Sequence, residues 1–189
     1  MSVNSIQYKD MINMKKILNF EFIEKEIKKK TFGIISTIDQ NGQSHSTGIV
    51  YGTAPSKSKF VLYILTDRNY KKVKNIENNN SVSFVIPFPH HILRFVPATC
   101  IQFQGIAQIV PFNDSEAQES FRNGSKILKT NLKQVKKMIN KEERVVFIKV
   151  IPIKKLFCYG LGFSLMKLRK NIESGSYFVR IPDERQIFY

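Results

Sequence analysis

Two apolar, β-branched segments lie on either side of a tight-turn sequence in the first third of the chain. We predict strands at residues 31–38 and 43–52, joined by Asp39-Gln40-Asn41-Gly42. Asp and Asn side chains bond the backbone of a turn, and glycine adopts the positive φ that a tight hairpin needs. The segment therefore predicts an antiparallel β-hairpin and commits the chain to a sheet.

Short apolar segments continue along the chain. Helical spacing of apolar residues predicts helices at 19–30, after residue 69, and at 113–140 with a break near Asn123-Gly124. The tail beyond Gly162 is predicted to be irregular. Gly105, inside a predicted strand, indicates a bend or a close approach of two backbones. The further strands are predicted at residues 60–66, 81–86, 99–110, 145–153 and 155–159.

These elements predict a fold that is mainly β with peripheral helices, built as a small barrel of six or so mostly antiparallel strands. A chain of 189 residues with 42% hydrophobic content can bury one substantial core. We expect a mobile N-terminal arm at 1–18, the barrel domain at 19–160 and a C-terminal extension at 161–189.

Lysines cluster where a predicted strand passes into a helix. Lys71, Lys72 and Lys74 follow the strand that ends at Thr66. A helix N-terminus carries unpaired N–H groups and partial positive charge, so cations there are unfavourable unless an anion binds among them. Phosphate is the natural candidate; the alternative is a solvated amphipathic helix in a lysine-rich protein.

The same spacing predicts which side chains of that helix are buried. Asn69 or Asp67 is expected to cap it. Its core-facing residues are expected to be Tyr70, Val73 and Ile76, and its polar residues Lys71, Lys74 and Asn75.

The composition limits the function classes without choosing one. The formal charge is +15, from 30 basic and 15 acidic residues, which would attract nucleic acid, anionic membranes or polyanionic cofactors. Two cysteines are too few for a disulfide framework, and both are expected to be inert buried thiols in a reducing compartment. The adjacent His90-His91 lacks partners with ligand spacing, so no metal is predicted. No apolar run approaches the roughly 20 residues that span a bilayer, and we expect a cytoplasmic protein.

Four segments in order resemble the pyridoxamine 5′-phosphate oxidase-like, FMN-binding split-barrel family. The family pattern has a hairpin with "lsT-x-x-x-G-x-P-H", a strand ending in threonine, a helix start with "R/K-K-x-x-N-L/I" and a strand carrying a glycine. The matching segments are Ser36 to His45, Leu62 to Thr66, Lys71 to Ile76, and Gln102 to Ala107.

The resemblance implies a homodimer with FMN at the subunit interface and a small-molecule substrate. It implies that Lys71 and Lys72 hold the cofactor phosphate and that Thr66 approaches the flavin. His45, Ser46 and Thr47 match the strand that lines the cofactor, and Cys100 matches a strand glutamine that touches flavin. Ser44 replaces the family's proline, Thr47 replaces a phosphate-contacting arginine, and the C-terminal signature has no match, so vitamin B6 oxidation does not carry over.

The leading hypothesis is therefore an FMN-dependent oxidoreductase of undetermined substrate. A reductase using the deazaflavin coenzyme is an alternative on the same fold, and a reservoir of haem or flavin without turnover is another. A nucleic-acid-binding protein that uses the basic helix at residues 126–141 is an alternative of another class. No catalytic acid or base is assigned, although His45 is the best-placed titratable side chain.

Overall fold

The computed structural model describes residues 18–89, 98–137, 144–164, 168 and 173–188. Within them the chain forms four α-helices: α1 (Phe20–Lys28), α2 (Lys71–Asn78), α3 (Ser115–Arg122) and α4 (Lys126–Lys137). It also forms eight strands: β1 (Phe32–Ile38), β2 (Ser44–Thr53), β3 (Leu62–Asp67), β4 (Ser81–Phe88), β5 (Thr99–Pro111), β6 (Val145–Pro152), β7 (Lys155–Tyr159) and β8 (Ser176–Arg180).

Six of these strands close into an antiparallel barrel in the order β1-β2-β3-β6-β5-β4, because β4 pairs with both β1 and β5. β7 and β8 continue the sheet from β5. The predicted mainly-β barrel with peripheral helices and about six antiparallel strands is confirmed.

The hairpin predicted at residues 31–52 forms β1 and β2. Ile38 pairs with Ser44, and Gly42 has a φ of 77°. The carboxylate of Asp39 accepts the backbone N–H groups of Asn41 and Gln43, each at 3.0 Å. The turn residues therefore act as the sequence predicted.

Two apolar clusters hold the barrel and its helices together. The interior cluster fills the barrel with β-branched and aromatic side chains and includes Tyr51, Phe84 and Ile148. The second cluster packs α3 and α4 against the outer face of β3 and β6, around Tyr63, Phe147 and Phe121. Each fully buried side chain of this size contributes about 1.5–3 kcal/mol, so the helices are fixed to the barrel wall by ordinary core packing.

Gly105 confirms the predicted close approach of two backbones. A Cβ at this position would lie 2.7 Å from the carbonyl oxygen of Ile151 on β6.

The prediction of an irregular tail is wrong for residues 176–180, which form β8 against β7. Alternation of Tyr177 and Val179 toward the interior with exposed neighbours explains this strand. The extent of the domain remains a prediction, and the arm at 1–18 lies, apart from residue 18, outside the described residues.

Candidate functional site

A cleft opens in the barrel wall where β2 and β3 separate. Their ladder joins only Tyr51 to Ile64, Gly52 to Tyr63 and Thr53 to Leu62. Extending that register by two residues would place Ile49 opposite Thr66, but no pairing is present there and both residues line the cleft. We call this opening the split cleft.

The split cleft has a volume of about 380 Å³, within the range usual for small-molecule sites. Helices α3 and α4 form its outer wall. Its lining comprises Gly48, Ile49, Val50, Ile64, Leu65, Thr66, Asp67, Tyr70, Lys72, Phe121, Asn131, Gln134, Val135 and Val145. The walls are therefore largely apolar, with polar groups gathered at the start of α2 and on α4.

The edges of the two separated strands face the cleft. β2 pairs with β1 on its other side through Ser44–Val50, and β3 pairs with β6 through its whole length. The backbone groups of Gly48 to Val50 that point toward β3 therefore lack the strand partner that a closed barrel would supply. Backbone N–H and C=O groups need hydrogen-bond partners when a ligand excludes water from them. These strand edges are therefore suited to bond polar atoms at the edge of a ligand.

Thr66 brings an unsatisfied hydroxyl to this site. It lies near the end of β3 and is 7% exposed. Among the described residues, its Oγ1 has no hydrogen-bond partner. An unpaired buried hydroxyl costs about 1–3 kcal/mol, so a ligand oxygen that bonded it would recover that free energy.

Lys72 is the cation of the cleft. Its residue is 7% exposed, and no carboxylate among the described residues lies within 4.0 Å of its Nζ. Burial lowers the pKa of this ammonium below its ordinary value. A buried cation without a counter-ion is unfavourable on its own, and an anionic ligand in the cleft would stabilise it.

The Lys71 side chain contacts the hairpin turn and does not line the cleft, although the family resemblance implies that Lys71 and Lys72 hold the phosphate together. Successive helical residues are about 100° apart, and the Lys71 Nζ lies 3.3 Å from the Asp39 carboxylate in the hairpin turn. Backbone N–H groups of Gln43 and Asn41, together with that ammonium, hold the pKa of Asp39 below its ordinary value. The structure thus brings Lys72 to Thr66 in the cleft and uses Lys71 to join α2 to the hairpin.

The start of α2 differs from the sequence prediction. Its N-cap is Tyr70, whose side chain makes no cap hydrogen bond, whereas Asp67 accepts the backbone N–H of Asn69 at 2.9 Å in the preceding turn. Tyr70 was predicted to face the core and is instead 57% exposed at the cleft. The prediction of a capped start was wrong because the Asp67 turn ends before the helix begins.

Asn75 was placed with the polar face of α2, and this prediction was also wrong. The side chain is buried, and its Nδ2 donates to Oγ1 of Thr37 at 2.9 Å, while that hydroxyl donates to the carbonyl of His45 at 3.3 Å. Asn75 therefore anchors α2 to β1 and β2. The helical spacing of apolar residues could not predict this role, because asparagine side chains are usually exposed to solvent.

The β2 residues proposed as cofactor ligands lie next to the cleft rather than in its lining. His45 Nδ1 is 3.3 Å from Oγ1 of Thr47, and Oγ of Ser46 is 2.8 Å from that of Ser36. Cys100 lies on β5 beside Tyr159 of β7, accepts a bond from Gln102 Nε2 at 3.3 Å, and is not among the cleft-lining residues. In this chain the split cleft gathers only Thr66 and Lys72 of the seven predicted residues.

Two cleft residues were missed by sequence reasoning. Asn131 and Gln134 lie one turn apart on α4, at the margin of the apolar stripe that contains Leu128 and Leu132. Carboxamides donate and accept at once, so both could meet the polar edge of a bound ring. Their position beside a buried stripe was the signal available in the sequence.

A second cavity, of about 340 Å³, lies at the C-terminal end of β2. It is lined by two cations, of which Lys28 already bonds Glu24 at 2.7 Å and the hydroxyl of Ser56, while the Nζ of Lys30 lies over the Phe88 ring, 5.3 Å from its centroid. The split cleft is the better candidate for an anionic ligand, because it combines a buried lysine with a buried hydroxyl that has no partner among the described residues. The described residues contain no cluster of three or more potential metal-ligating side chains, and the His90-His91 pair lies outside them.

Comparisons with known proteins agree with this fold. The fold is similar to that of ChuZ from Campylobacter jejuni, with 14% identity, a TM-score of 0.58 and coverage of 88% of this chain and 62% of that one. It is similar to the haem storage protein HutZ from Vibrio cholerae, with 17% identity, a TM-score of 0.56 and coverage of 77% and 98%. A pyridoxamine 5′-phosphate oxidase-related, FMN-binding protein from Nostoc punctiforme shares 11% identity, with a TM-score of 0.53 and coverage of 82% and 83%.

At these identities the solved structures show the fold alone. No curated protein sequence matches the chain. A family model described as pyridoxamine 5′-phosphate oxidase, however, matches residues 20–152, which include the whole barrel and α1 to α4. The chain therefore belongs to the pyridoxamine 5′-phosphate oxidase family, as a divergent member.

Proposed function

We propose that the protein binds FMN in the split cleft and serves as an FMN-dependent oxidoreductase acting on a small molecule. The observation that carries the proposal is that a buried ammonium and a buried hydroxyl line one cleft and that neither has a carboxylate or hydrogen-bond partner, respectively, within the part of the chain that the structure describes. Lys72 and Thr66 supply a cation and a donor, which is the chemistry that a phosphate group requires.

The start of α2 adds to this anion site. Lys72 lies in its first turn, where backbone N–H groups point out of the helix. The first turn contains no acidic residue that would compete for these donors. A charge-assisted hydrogen bond contributes about 1.5–3 kcal/mol, which exceeds the roughly 0.3–1 kcal/mol penalty of a cation at a helix start.

The rest of the cleft fits a flat ring with a polar rim. Leu65, Phe121 and Val135 supply apolar walls, and the unpaired edge of β2 supplies donors and acceptors. Bound FMN would supply hydride-transfer chemistry. The chain's own groups would hold its phosphate, orient its ring and exclude water.

We further infer that the protein is a homodimer in the cytoplasm. Phe32, Ile34 and Val85 form a partly exposed apolar patch on the outer face of β1 and β4, which suits a second copy. Cys100 and Cys158 are both free thiols, which suits a reducing compartment. No helix among the described residues is long and apolar enough to cross a membrane.

The test is the absorbance spectrum of freshly purified protein, with mass spectrometry of whatever acid releases. We expect the yellow, two-band spectrum of FMN; a single violet band would indicate the deazaflavin coenzyme, and an intense haem band would indicate a haem reservoir. Lys72→Ala should weaken FMN binding about 10- to 100-fold, as expected for a lost charged bond.

Lys71→Ala is the matched control, because its ammonium pairs with Asp39 and not with the cleft. It should weaken FMN binding by less than about threefold. A colourless protein that also fails to bind added FMN would overturn the proposed function.

A further inference from the structure

Tyr70 is the N-cap residue of α2, but its side chain neither caps the helix nor packs in the core. The N-cap of a helix is normally Ser, Thr, Asp or Asn, whose side chain bonds an exposed N–H group. Tyr70 makes no such bond, and the residue is 57% exposed. Neither capping nor core packing explains a tyrosine here.

The ring instead contacts the cation of the split cleft. The Lys72 Nζ lies over the Tyr70 ring, 4.6 Å from its centroid. Both residues line the cleft. The neighbouring Lys71 and Lys74 are exposed, whereas Lys72 is buried. A cation over an aromatic face is attracted by the ring quadrupole, so the ring and the cleft wall together hold this ammonium.

A lysine whose ammonium is already held in place loses less entropy when it binds an anion. A free lysine side chain loses considerable rotamer entropy when a ligand fixes it. If a ring has already restricted the ammonium, an incoming anion meets a preorganised charge and less affinity is lost to ordering. This gain in affinity applies only to ligands that carry an anionic group.

We propose that Tyr70 is a positioning residue that holds the Lys72 ammonium for a phosphate group, and so makes the cleft prefer phosphorylated flavin over the same ring without phosphate. The proposal rests on the proposed function, since it assigns the phosphate end of that site. The hydroxyl of Tyr70 has no part in it; the aromatic face alone acts.

The test compares FMN with riboflavin, which has the same ring and no phosphate. Apoprotein of the wild type, Tyr70→Ala and Tyr70→Phe is titrated with each flavin by fluorescence quenching. We expect Tyr70→Ala to weaken FMN binding roughly 3- to 30-fold and to leave riboflavin binding within about twofold of wild type. Tyr70→Phe keeps the ring and should bind both flavins like the wild type.

An equal loss for both flavins would overturn the proposal, since it would mean that Tyr70 contacts the ring system or supports the fold. Unchanged FMN binding in Tyr70→Ala would overturn it as well. Because the side chain makes no cap bond and is exposed, the variant is expected to fold, and a thermal melt of each protein verifies this.

A second measurement needs no flavin and separates failure of this proposal from failure of the proposed function. The rate of acylation of Lys72 by a small amine-reactive ester is followed by peptide mass spectrometry, with the exposed Lys74 as an internal reference. We expect the Lys72 rate to rise in Tyr70→Ala and not in Tyr70→Phe. An unchanged rate would show that the ring does not hold the ammonium, even if the wild type binds FMN.

Discussion

Two buried threonines differ in whether their hydroxyl groups have hydrogen-bond partners. Thr37 is fully buried, and its Oγ1 accepts from Asn75 and donates to the His45 carbonyl. Thr66 is buried to a similar extent and its hydroxyl has no partner among the described residues. The first hydroxyl is satisfied within the fold, and we propose that the second bonds a ligand in the cleft.

This contrast predicts opposite effects of the same substitution. Thr66→Val removes an unsatisfied hydroxyl at nearly constant volume and should stabilise the unliganded protein by about 1 kcal/mol while weakening FMN binding. Thr37→Val, the matched control, should destabilise it by about 1–3 kcal/mol because it leaves the Asn75 amide unpaired. Urea unfolding of the apoproteins measures both changes, and a destabilised Thr66→Val would show that its hydroxyl is satisfied.

Among the elements, α1 depends on a contact with the far end of the chain. Arg185 donates to both Glu24 oxygens, at 2.8 and 3.2 Å, and its Nε donates to the Ser58 carbonyl at 2.6 Å. Lys28 also bonds Glu24. Burial raises the pKa of Glu24, but the hydrogen bonds from Arg185 and Lys28 lower it more, so the pKa lies below its ordinary value of 4.5.

A carboxylate whose pKa is lowered by folding stabilises the protein above its unfolded pKa, and this stability is lost as pH falls through the folded value. We therefore expect Glu24→Gln to be less stable than wild type by about 1.5–3 kcal/mol at neutral pH, with the difference shrinking once the pH falls below 4.5. Urea midpoints at a series of pH values measure this. Glu21→Gln, an exposed change on the same helix, is the control. A Glu24→Gln difference that stays constant with pH would contradict the assignment.

At the scale of the whole molecule, the proposed dimer makes a separate prediction. The wild type should sediment at twice its chain mass of 21.9 kDa. Phe32→Glu places a charge in the apolar patch on β1 and should yield monomers. Analytical ultracentrifugation of each protein at micromolar concentration provides the measurement.

Phe178→Glu is the control, since Phe178 is comparably exposed but lies on the edge strand β8. This variant should remain dimeric. A monomeric wild type would contradict the dimer proposal without bearing on flavin binding by the cleft.

Local chemistry determined much of the fold. The Asp39-Gly42 turn, the β-branched runs beside it and the spacing of Phe20, Ile23 and Ile27 depend on neighbours a few residues away, so the hairpin and α1 could be predicted from sequence. The cation at the start of α2 was likewise visible as a local anomaly, because the helix dipole acts within one turn. The number and close spacing of the predicted strands indicated a small barrel, and the likeness to the family then indicated a split barrel.

Tertiary structure decided which of those residues face one another. The ladder between β2 and β3 stops at Tyr51 and Ile64, and this separation places Thr66 and Lys72 in one cleft with Asn131 and Gln134 of α4. Lys71, adjacent in sequence, pairs with Asp39, and Asn75 turns inward to Thr37. Sequence specified the chemical groups because residue type and local periodicity are short-range properties; their partners were decided by packing between segments distant in the chain, which no local pattern encodes.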